Sequence, residues 1–169
     1  VCHSLARMPK RTPRTWLMKS EPDVYSIDDL ATQGTGTWEG VRNYQARNFM
    51  REMQVGDLVL FYHSNAEPSG VVGVAAVARA AYTDPFQFEP ESPYFDPKSP
   101  KDAPRWSAVD VSFVEKLPKP VTLAAMKADP ALEGLKVIEK GSRLSVTPVE
   151  PSHFRRIVAL GGGRTQVRG

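Results

Sequence analysis

Trp106-Ser107-Ala108-Val109-Asp110-Val111-Ser112-Phe113 changes character at every step. Trp106, Ala108, Asp110 and Ser112 fall on one side of an extended chain, and Val109, Val111 and Phe113 on the other. This period of two is that of a strand, predicted here over 106–116. Working outward, Thr15–Met18 and Leu58–Tyr62 are apolar runs of strand length. Val71–Tyr82 is rich in Val and Ala; its β-branched content favours a strand, bulged at Gly73. Leu144–Val149 supplies a last strand.

Helices are expected between these runs. Ser26 followed by Asp28 and Asp29 has capping-box spacing with acids in the first turn, and Gly34-Thr35-Gly36 stops that helix. Asn43–Glu52 carries Tyr44, Phe49 and Met53 loosely on one face. Thr122–Ala128 is a short helix with Thr122 as its cap, and Pro151–Leu160 reads as helical or extended. Residues 83–105 hold Pro85, Pro90, Pro93, Pro97, Pro100 and Pro104. That is a long irregular loop anchored by Phe86, Phe88, Tyr94 and Phe95, of a length that is often functional. The sum is an α+β domain, a strongly bent mixed sheet or small barrel with short helices at its ends.

The chain has 169 residues, a net charge of +3 and a pI near 9.1. One domain with a proper core is expected. Much of the positive charge sits near the ends, in Arg7, Lys10, Arg11, Arg14, Arg164 and Arg168. Such arms lie along phosphate backbones or are simply solvated. Residues 1–14 and 161–169 read as flexible, with the domain between them at 15–160. Cys2 is the only cysteine, so no intramolecular disulfide or Cys-based zinc site is expected. This composition suits a reducing, cytoplasmic setting. No apolar stretch is long enough for a membrane span, so no membrane partner is expected.

Polar and aromatic residues gather in packets at the ends of the apolar runs: Trp16–Pro22, Trp38–Tyr44, Phe61–Ser64 and Ser142–Val146. A scaffold with such groups at its element ends can stack a flat ring and hydrogen-bond its edge. None is a standard catalytic or cofactor motif. The glycines at 70, 73 and 161–163 lack the following Gly-Lys-Ser/Thr of a phosphate loop. Ser64 directly follows His63 and would face the other way on a strand, which speaks against a nucleophile–base pair. No cofactor is expected.

Taken in order, the packets resemble the EVE domain family. The matching stretches are Trp16–Pro22, Trp38–Asn48 (Trp-Glu-Gly-Val-Arg-Asn-Tyr-Gln-Ala-Arg-Asn), Gly56–Ser64, Gly70–Val74, Tyr94–Ser99 and Ser142–Val149. The resemblance runs from about Thr15 to Leu160. It implies a PUA-like pseudo-barrel, in the superfamily that also holds the YTH readers of methylated adenine. It also implies a pocket for a nucleobase, a modified one, in DNA or RNA, and no catalysis. Carried over, Lys19 and Ser20 would lie at the pocket mouth and Trp38 would form a wall. Val41, Arg42, Asn43 and Tyr44 would offer donors at a helix start. Tyr62, His63 and Ser64 would close a second side, and Trp106 with Arg143, Leu144 and Ser145 would complete it.

Each residue also has a plainer account. Trp38 and Trp106 stack a base or pack in the core, and Trp16 belongs to the core. Arg42 and Asn43 meet a phosphate or base edge, or form a salt bridge and a helix cap. His63 lines the pocket or makes a structural hydrogen bond. Lys19 and Arg143 contact phosphate or are ordinary exposed cations. The alternative functions are a sensor for a nucleoside-like small molecule and a nucleotide-acting enzyme using the same pocket. A domain of this size carries no effector of its own, so a separate effector protein is expected to act on what a monomeric reader binds.

Overall fold

The computed structural model describes residues 12–167. Most of the expected N-terminal arm, and the last two residues of the expected tail, lie outside the described residues.

Six strands form one mixed sheet. They are β1 (Thr15–Ser20), β2 (Thr35–Trp38), β3 (Leu58–His63), β4 (Gly70–Thr83), β5 (Ser107–Thr122) and β6 (Val146–Val149), in the order β2-β5-β4-β3-β1-β6. β1 and β3 run parallel; the other neighbours are antiparallel. Four α-helices accompany them among the described residues: α1 (Ile27–Gln33), α2 (Tyr44–Glu52), α3 (Leu123–Ala128) and α4 (Pro151–Leu160).

The central strands are apolar on both faces, and this determines the architecture. Trp16 and Met18 of β1, with Val59 and Phe61 of β3, join one core with Ile27, Leu30, Ala46 and Met50 of α1 and α2. Leu17 and Leu60, one position over, join a second core with Met126 of α3 and Phe154, Ile157 and Val158 of α4. A parallel pair buried on both sides needs helical cover on both sides. The expected PUA-like pseudo-barrel is therefore corrected. The sheet is open, with β2 and β6 as its two edges, rather than curled around a single interior.

The local signals hold where they are local. Ser26 caps α1 in a full capping box with Asp29, and Thr122 caps α3. The break at Gly73 is real: the β3–β4 and β4–β5 registers both shift there. A Cβ on Gly73 would lie 2.5 Å from Ile27 Cδ1 and 2.7 Å from the Glu115 carbonyl oxygen. The glycine thus lets α1 settle on the sheet. β5 runs past Lys116 to Thr122 despite two prolines. Pro118 and Pro120 fall in the register break between the pairs Val71–Val121 and Gly73–Lys116, where the ladder is already interrupted. β2 is the element that the sequence hides, because Gly34-Thr35-Gly36 reads only as a helix stop.

Candidate nucleic-acid interface

A cleft of about 1110 Å³ opens along the β2 edge of the sheet. Its walls are the end of β1 with the turn into α1, strand β2 with residues 39–42, and the chain that leaves β4. Trp38 lines it and is 7% exposed, held edge-on by Phe61 at 5.2 Å and Tyr25 at 6.3 Å between ring centroids. Tyr25 crosses β2 at Gly36, where an added Cβ would collide with its hydroxyl. The Tyr25 hydroxyl donates to Gln33 Oε1 at 2.7 Å. The volume exceeds what one ring fills, so neighbouring atoms of a polymer can enter with it.

The wall built from residues 40–42, 84–86 and 94 is tied to itself. Asp84 is fully buried. Its carboxylate accepts from Gly40 N at 2.9 Å, Arg42 Nη1 at 2.9 Å and Phe86 N at 2.8 Å. The rest of the Arg42 guanidinium donates to main-chain oxygens: Nε and Nη2 to Tyr94 at 3.0 and 2.7 Å, and Nη1 to Val41 at 3.0 Å. Gly40 has φ +83°, and a Cβ there would meet the Tyr94 ring at 2.6 Å. Arg42 is thus a clamp for the wall rather than an idle cation.

The other expected site residues divide three ways. Ser20, Val41 and Ser145 line the cleft with Trp38 and Arg42. Ser20 Oγ donates to the Tyr25 carbonyl at 2.7 Å, and Ser145 O accepts from Lys19 N at 2.8 Å. Lys19 also borders the cleft, but its ammonium lies 5.7 Å from the Tyr62 ring centroid, and burial lowers its pKa. A second group serves the framework. Asn43 is the N-cap of α2, accepting from Ala46 N at 3.0 Å. Tyr62 is buried in the second core. His63 Nε2 accepts from Ile27 N at 3.1 Å, so the imidazole takes up the first orphan donor of α1. Burial lowers its pKa, in keeping with a neutral ring that accepts. Ser64 N donates to Ser20 O at 3.0 Å, extending the β1–β3 pairing. Trp106 lies outside the cleft lining, with Tyr44 stacked on it at 4.8 Å and its Nε1 donating to Asp96 at 2.7 Å. A third group, Arg143 and Leu144, lies in a separate depression of about 350 Å³.

Two groups in the cleft have no such ties. Trp16 and Trp106 donate their indole N–H to Asp57 and Asp96, at 3.0 and 2.7 Å. Trp38 alone of the three tryptophans has no acceptor for its indole N–H among the described residues, and this nitrogen is not sealed from solvent. Beside it, the Glu39 carboxylate receives no hydrogen bond from another described residue. Burial raises its pKa, its own N–H opposes the rise, and the Asp84 and Asp110 charges add to it. Sequence reasoning places Glu39 inside a packet without giving it a role, and passes over Tyr25 and Asp84. Proximity in the chain to Trp38 marks Glu39; nothing local marks Asp84, which reads as a turn residue before Pro85.

Among the described residues no group of three or more His, Cys, Asp or Glu side chains is arranged to hold a metal ion. No described helix is long and apolar enough to cross a membrane. Residues 14–160 match the model of the EVE domain. The chain belongs to the EVE domain family. Among EVE proteins, human thymocyte nuclear protein 1 is 42% identical over 163 residues, covering 86% of this chain and 72% of its own length. A crystal structure from Pseudomonas putida superposes with a TM-score of 0.85 at 51% identity, covering 87% of this chain and 99% of that one. Human THYN1 in complex with DNA containing 5-methylcytosine superposes with a TM-score of 0.83 at 38% identity, covering 90% and 99%.

Proposed function

We propose that the cleft captures a single modified base, a 5-methylated cytosine in DNA, and that Trp38 and Glu39 read it. The observation that carries this is the pairing of an indole N–H and a carboxylate, adjacent in the chain and neither hydrogen-bonded to another described residue, in a cleft with an aromatic wall. A cytosine edge offers what they lack. Its exocyclic N4 amine donates to a carboxylate, and its carbonyl and ring nitrogen accept. A 5-methyl group would add apolar contact with the aromatic wall. Support also comes from the related human THYN1, which has been crystallised with DNA containing 5-methylcytosine.

The energetics are compatible with selective capture. Extruding a base from a duplex costs a few kcal/mol, and stacking on an aromatic ring returns roughly 1–3 kcal/mol. Capture therefore needs the hydrogen bonds and phosphate contacts as well. Because burial raises the Glu39 pKa, acid removes the acceptor's negative charge and weakens its bond to the N4 amine, and affinity should fall as pH drops through that raised value.

The test is an equilibrium titration against a duplex with one 5-methylcytosine, its unmodified counterpart, RNA of the same sequence, and free 5-methylcytidine. Tighter binding of the methylated duplex supports the assignment. Equal affinity for both duplexes overturns it. Tight binding of the free nucleoside with no gain from a strand would replace it with a small-molecule sensor.

A further inference from the structure

The smaller depression lies between α2 and the chain that leads into β6, where Gln45 and Phe49 face residues 139–144. Lys140 and Arg143 line it, and neither makes an ion pair or side-chain hydrogen bond among the described residues. Lys136 lines it too, 3.6 Å from Glu139. Segment 143–145 joins the two sites: Arg143 and Leu144 line the depression, and Ser145 lines the cleft.

We propose that this depression is a phosphate track, holding the sugar–phosphate backbone of the strand that flanks the base in the main cleft. The proposal rests on the base-capturing assignment of that cleft. Cations without acid partners lining a depression fit a phosphodiester. Continuity with the cleft through residues 143–145 makes the flanking strand the occupant. Phe49 and Leu144 at the same site give a sugar an apolar surface. This also accounts for Arg143 and Leu144, which the sequence groups with the base pocket and the fold places beside it.

The experiment measures affinity against salt for a single strand of about a dozen nucleotides centred on 5-methylcytosine, and for the central trinucleotide alone. It uses the wild type and the double variant Lys140→Ala/Arg143→Ala. On the long strand the double variant should flatten the slope of log K against log[salt] by about 1.4, since each phosphate that is no longer neutralised by a cation removes roughly 0.7. Its preference for the methylated strand should stay at the wild-type ratio, and binding of the trinucleotide should hardly change. An unchanged slope on the long strand overturns the track while leaving the cleft intact. Equal slope changes on both probes also overturn it, since the cations would then serve the captured nucleotide itself. A wild type with no preference for the methylated strand overturns the cleft assignment, and the track with it. That ratio is measured before any variant is compared, so the two failures are separable.

Discussion

The two sides of the cleft are built on opposite plans. On one, Asp84, Arg42, Gly40, Phe86 and Tyr94 satisfy one another, and the residue that looks most like a phosphate ligand, Arg42, holds a wall in place. On the other, Trp38 and Glu39 carry donor and acceptor groups that no other described residue takes up. The same contrast separates the tryptophans: Trp106 is bonded to Asp96 and covered by Tyr44, whereas Trp38 lines the cleft with its N–H unclaimed among the described residues. Residue type does not distinguish scaffold from ligand-binding group here. Whether the group already has a partner does.

That contrast can be broken by substitution. The largest effect is expected from Asp84→Ala, which strands the Arg42 guanidinium, only 22% exposed in its side chain, and leaves two backbone donors without an acceptor. Breaking such a pair costs about 3–5 kcal/mol, read as a lowered denaturant midpoint; a negligible shift would show that this wall is not self-supporting. Trp38→Leu should lose about 1–3 kcal/mol of binding to the methylated strand, measured by titration of the folded variant. Tyr44→Ala sharpens the comparison. It removes the stack on Trp106, worth about 0.5–1.5 kcal/mol of stability, and should leave affinity where it was. A loss of binding as large as that of Trp38→Leu would move the base to Trp106.

The smallest effect concerns Glu39. Its raised pKa means that the fold disfavours the charged carboxylate. The destabilisation is absent below the ordinary carboxylate range. It grows as pH rises from that range through the raised value, and is complete above it. Glu39→Gln should therefore be slightly more stable than wild type at neutral pH and equal to it in acid. The gain is small because the partly buried carboxylate stays partly solvated. Thermal melts at several pH values check the sign, and titrations of the same variant should lose the fall in affinity toward low pH.

What could be read from the sequence was what neighbouring residues determine. The alternation around Val109, the Ser26–Asp29 box, the Thr122 cap and the break at Gly73 each depend on a few adjacent positions, and each is present. β2 was not legible, because Thr-Gly-Thr-Trp has no period of its own and becomes a strand only by pairing with β5. Whether the sheet closes depends on which distant strands become its edges, which no local pattern carries. The site follows the same rule. The packet marks Trp38, which lines the cleft, but the hydrogen bonds of Arg42 and His63 are set by Asp84 and Ile27, 42 and 36 residues away.

The most direct test is photocrosslinking with a strand that carries 5-iodocytosine at the target position, followed by mapping of the crosslinked peptide. The iodine occupies the place of the 5-methyl group and reports which aromatic ring meets it. A crosslink to Trp38 or Tyr25 is the predicted result. A crosslink to Tyr44 or Trp106, with Trp38 and Tyr25 unmodified, would place the base on the self-bonded side and contradict this account of the cleft.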